Sequence, residues 1–175
     1  MPAQIGGKTY SNGQLITGGA LVLALINWFI PWWWTASFSY AGVAGYGGVS
    51  ANTGIGGLGS WSGWLGFLAL LVLIVLFAIR TFAPQVLPPL PFTDWMIYAV
   101  GGVFILLMVV LFLTYAGGAS YSGAGYSAGI SIGFFIGLIT AAAIAVGGYL
   151  SKTDVQPSTA PMNFNQTSTP PPAGQ

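Results

Sequence analysis

Only five of the 175 residues carry a charge, and none of them lies inside an apolar run. Lys8 precedes the first run, Arg80 closes the second, Asp94 opens the third, and Lys152 and Asp154 follow the fourth. An ionised side chain at the bilayer centre costs at least about 2.5 kcal/mol, so this arrangement suits a chain that hydrocarbon surrounds four times. The expected spans are about 15–34, 61–82, 93–115 and 128–150. The 20 residues from Trp61 to Arg80 would rise about 30 Å as a helix, which matches the hydrocarbon thickness.

The same five residues set the expected topology. Four passes place every charge on one side and leave two uncharged connections, roughly Thr35 to Ser60 and Tyr115 to Ala128, on the other. Lys and Arg in short loops stay in the cytoplasm. Both termini are therefore expected inside, with a lead over 1–14, a transmembrane domain over 15–152, and a disordered cytoplasmic tail over 153–175 that is rich in Pro, Thr and Gln. The rival for the first run is a cleaved signal peptide, with Lys8 as its charged region and Ser39-Tyr40-Ala41 as the cut. Its long polar lead and the three Trp at 32–34 argue against that.

The expected fold class is an all-α integral membrane protein, a four-transmembrane-helix bundle. Gly18-Gly19 and Gly101-Gly102, and then Tyr-Ala-Gly at Tyr40 and Tyr115, echo one another and suggest two repeated helical hairpins. Pro84, Pro88, Pro89 and Pro91 make Thr81 to Phe92 a stiff connector between them. At the third run, Thr93 is expected to cap the helix and Asp94 to complement its positive end.

Composition removes most chemistry. Charged residues make up 3% of the chain, against about 25% in soluble domains, so most of the surface must meet lipid or protein. A net charge of +1 leaves no basic patch for nucleic acid. Without Cys or His there is no thiolate, no usual haem ligand and no common general base. Asp94 and Asp154 do not form an acid and base pair beside the uncharged loops. No catalytic, cofactor-binding or metal-ligating residue is assigned.

The sharpest motif is a four-residue recurrence of small residues, Gly125, Gly129, Gly133, Gly137, Ala141 and Ala145. On a helix this gives a smooth face that another helix can approach closely. Its partner is either another part of this chain or a second copy. Asn27 is the clearest uncharged amide at depth, expected to tie helices together, to lie close to the outer interface, or to orient a ligand or an ion. Trp32, Trp33, Trp34, Tyr46, Trp61, Trp64, Tyr121 and Tyr126 are expected as headgroup anchors or partner-binding aromatics.

From Gly18 to Tyr149 the chain resembles small four-helix bacterial membrane proteins of actinobacterial type. The shared features are Gly18-Gly19, Phe29-Ile30-Pro31-Trp32, Trp61 with Trp64 and Gly66, Pro88-Pro89-Leu90-Pro91, and Gly147-Gly148-Tyr149. That resemblance implies the topology and a bacterial plasma membrane, and it implies no activity. The Trp-rich first loop is superficially similar to that of claudins, without their paired cysteines. The expected role is a non-enzymatic structural or accessory subunit, a homo-oligomer or part of a larger membrane complex with the lipid bilayer as its medium. The alternative is a small uncoupled channel or facilitator for a neutral solute, lined by Asn27, Gly, Ser and Thr.

Overall fold

The structure, a computed structural model, describes residues 3–5, 8–40, 48–86, 91–116, 121–123 and 125–153. Tyr46, most of the Pro88 to Pro91 connector, Asp154 and nearly all of the tail lie outside the described residues.

A short hairpin, β1 (Ala3–Ile5) and β2 (Lys8–Tyr10), leads into α1 (Asn12–Phe29). α1 starts earlier than the apolar run because Ser11 and Gln14 form a capping box. The Ser11 hydroxyl accepts from the Gln14 amide at 3.1 Å, and the Gln14 side chain accepts from the Ser11 amide at 3.1 Å. It ends at Phe29, before Pro31, so the expected span to residue 34 is too long: Trp34 already begins a strand. α2 (Trp61–Phe82) opens where the Ser60 hydroxyl accepts from the Gly63 amide at 3.0 Å. α3 (Asp94–Tyr115) starts after Thr93, whose side chain makes no capping bond, and α4 (Ile132–Leu150) completes the helices.

Three of these helices, α2, α3 and α4, are long and apolar enough to cross a membrane. α1 is 18 residues long and carries Asn12, Gln14 and Asn27, which lower its hydropathy. The helices pack in a ring, α1 against α2 and α4, and α3 against the same two. Leu21, Leu70, Ile105, Val109, Phe112, Ala141 and Ile144 fill the centre, each almost wholly buried.

The all-α expectation needs correction. The two uncharged connections pair with each other in a four-stranded antiparallel sheet, order β4-β3-β6-β5. Its strands are β3 (Trp34–Tyr40), β4 (Val49–Ile55), β5 (Tyr121–Gly123) and β6 (Tyr126–Ile130). Each half of the chain is thus a helix, a strand pair and a helix. Side chains alternate across β3. Ala36 and, beside it, Ala128 of β6 are buried, and Trp34, Ile55 and Ile130 pack on the helix core. The opposite face carries Thr35, Ser37 and Ser39. The backbone welds sheet to helices: the Trp33 amide donates to Ile55 and the Ser131 amide to Trp33, both at 3.0 Å, and the Gly133 amide to Trp32 at 3.1 Å.

Candidate functional site at the uncharged pole

The ring has two unlike poles. At one, α2 ends in Arg80 and α3 begins with Asp94, which form an ion pair at 3.0 Å. Lys152, just past α4, sits 4.9 Å from the Trp95 ring centre. The start of α1 lies there too, since a Cβ on Gly13 would stand 2.6 Å from the Ser151 amide nitrogen. The other pole bears the sheet, and among the described residues it carries no charge.

At the uncharged pole Asn27, 1% exposed, joins three elements. Its amide nitrogen donates to the Gly133 carbonyl at 3.0 Å, and its side-chain oxygen accepts from the Trp32 indole at 2.8 Å. Its backbone carbonyl accepts from the Trp33 indole at 3.0 Å. Both ends of the amide are therefore satisfied, as an apolar setting demands. Trp28, a residue the sequence reading passed over, donates from its indole to the Gly63 carbonyl at 3.1 Å and so ties α1 to the first turn of α2.

The expectation that Trp32, Trp33 and Trp34 anchor at headgroups fails for Trp33, which is fully buried. Its ring centre lies 4.9 Å from that of Trp28 and 5.4 Å from that of Phe112. Trp32 and Trp34 are partly buried and pack against the core. Trp61 and Trp64 face outward, 58% and 53% exposed. Tyr126 is exposed on β6, and Tyr121 lies in β5.

The small-residue recurrence divides. Gly125 and Gly129 belong to the β5–β6 hairpin and not to a helix; Gly125 has φ +82°, a left-handed conformation that favours glycine. Gly133 and Gly137 lie on α4 against Trp32, Trp33 and Asn27. A four-residue step on a 3.6-residue helix drifts round the axis, and by Ala145 the stripe faces Gly102 of α3. The α1 contact is continued instead by Gly147, against Thr17. The seam is thus occupied inside the chain.

Beyond this knot, the polar face of the sheet forms a shallow concavity of about 490 Å³, lined by Thr35, Ser37, Asn52, Ser122 and Ser127 among others. The Ser37 and Ser127 hydroxyls are 2.5 Å apart. Hydroxyls and an amide offer neutral hydrogen bonding, with no acid, base or nucleophile-activating group beside them. Among the described residues no group of His, Cys, Asp or Glu could hold a metal ion. No protein-family model and no curated protein matches this chain.

Proposed function

We propose that the protein is a non-enzymatic subunit of a bacterial plasma membrane, a four-span helix bundle with both termini in the cytoplasm, whose role is structural or accessory. The observation that carries this reading is the polarity of the molecule. Arg80, Asp94 and Lys152 gather at one pole, and a sheet of Ser, Thr, Asn, Gly and aromatics stands at the other. Three apolar helices between the poles supply the lipid-facing belt. Association has to use surfaces other than the glycine seam, because Gly133 and Gly137 are buried against the chain's own indoles.

Nothing favours the channel reading in the same way. Asn27, its candidate lining residue, has both ends of its amide engaged within the fold. The test of the subunit reading is purification from native membranes in a mild detergent. The expected result is a complex larger than one chain that survives alkaline extraction in the membrane fraction; a lone chain with no companion refutes it.

A further inference from the structure

The two edges of the sheet, β4 and β5, are used by neither the helix seam nor the tryptophan knot. β3 leaves the helix ring after α1 and β4 returns to α2; β5 leaves after α3 and β6 returns to α4. In the order β4-β3-β6-β5 the strands therefore run in, out, in, out. The edge strands are opposite in sense. A second copy standing upright in the same membrane would present its β4 antiparallel to the first copy's β5.

The register extends in the same way. Asn52, Ser37, Ser127 and Ser122 lie side by side in one row across the sheet. A copy placed level beside it sets its own Asn52 opposite Ser122 and continues the row. The chain already makes a junction of this kind. β3 to β6 joins the first strand of one hairpin to the second strand of the other, and β5 to the next copy's β4 is the same combination. Within one chain β5 cannot reach β4, since they sit at opposite edges.

The edges also lack charge and proline. Neither edge carries the Lys, Pro or inward charge that blunts many natural edge strands: the seven-residue β4 reads Val-Ser-Ala-Asn-Thr-Gly-Ile and β5, three residues long and so a short contact, Tyr-Ser-Gly. We propose that the protein assembles head to tail with further copies of itself, β5 of one copy pairing with β4 of the next so that one antiparallel sheet runs across the array. This rests on the membrane reading above, which keeps every copy upright. The contact is heterologous, so the array closes as a ring or runs on as a filament. A symmetric β4 to β4 contact about the membrane normal would set two like-directed strands together, a parallel pairing that is less stable per residue.

The chain has no Cys, so Asn52→Cys and Ser122→Cys report directly on the junction. In one copy these positions are three strand spacings apart, about 14 Å, which is too far for a disulfide. The full chain carrying both substitutions, oxidised in its membranes, is expected to give a ladder of dimers, trimers and larger species on a non-reducing gel. Co-expressed single variants should give dimers, and each single variant alone should stay monomeric. Adding Ala51→Lys on the same edge should remove the ladder. Cross-linking of Asn52→Cys alone overturns the head-to-tail contact. So does a monomeric double variant that stays with the membrane after alkaline extraction and unfolds at the parent's temperature. Recovery of the chain in the soluble fraction refutes instead the membrane reading, and the array with it.

Discussion

α4 meets its neighbours differently in its two halves. Near the charged pole, α4 lies close to neighbouring main chain: a Cβ on Gly147 would stand 2.5 Å from the Thr17 hydroxyl and 2.9 Å from the Thr17 amide nitrogen, and one on Gly148 2.6 Å from the amide nitrogen of Ala99. Near the uncharged pole the space beside Gly133 and Gly137 is filled by the Trp32 and Trp33 rings. Two ways of closing an interface without a hydrophobic driving force are thus combined in one helix. Small residues let main chains touch at one end. At the other, large rings fill the gap and use their N–H groups to hold polar atoms. A ring can shift by a few tenths of an ångström, whereas two helix backbones can separate only along their length.

The largest effect should come from breaking the backbone contact. Gly147→Leu should prevent α1 from docking, and folded protein should be lost from detergent extracts. Gly137→Ala meets ring atoms at 3.2 Å and should cost only about 1–3 kcal/mol as an overpacked site, read from thermal unfolding in detergent. Equal losses at both positions would erase the distinction between the halves. Next comes Trp33→Ala, which empties a fully buried site among Trp28, Phe112 and Phe134. The expected loss is about 3–5 kcal/mol, against about 0.5 kcal/mol for the exposed Trp61→Ala.

That contrast between tryptophans also marks what the sequence could reveal. The lipid-facing runs and the segregation of charge follow from side-chain chemistry alone, so helices α2, α3 and α4 were legible. The sheet was not, because Ser and Gly dilute its strands. Its one clear trace is the strict alternation Trp34, Ala36, Phe38, Tyr40 against Thr35, Ser37, Ser39, which has the period of a strand and not of a helix. Gly125 and Gly129 mislead for a related reason: they keep four-residue spacing with α4 while sitting in a hairpin, so period alone cannot say where the helix begins. The three consecutive Trp read as a headgroup belt, and only the paired backbone at Trp33, donating to Ile55 and accepting from Ser131, turns the middle one inward. Ser11 with Gln14 was a readable capping box, and it moves the start of α1 back by one turn.

A smaller effect tests the polar knot by itself. Asn27→Leu leaves the Trp32 indole and the Gly133 carbonyl without their partner. Hydrogen bonds between membrane helices contribute about 0.6–2 kcal/mol, so the unfolding midpoint should fall modestly while Trp33 remains buried. A loss as large as that of Trp33→Ala would mean that the amide, and not the rings, holds the uncharged half together.

The smallest effect belongs to the charged pole. The Arg80 and Asp94 side chains are 28% and 43% exposed, so water and salt screen their attraction, and such pairs contribute about 1 kcal/mol or less. Arg80→Gln should therefore leave the unfolding temperature nearly unchanged at any ionic strength. Its effect should appear in insertion. With Arg80 gone, Lys8 and Lys152 remain as the only Lys or Arg side chains, and under the proposed topology retention of the α2–α3 connector in the cytoplasm should weaken. A single Cys placed at Gln85 in that connector would then become reachable from outside in a fraction of molecules. If stability fell and topology held, the ion pair would be a structural tie like the indoles at the opposite pole. If topology mixed and stability held, the two poles divide the work: one orients the chain in the bilayer, and the other packs it.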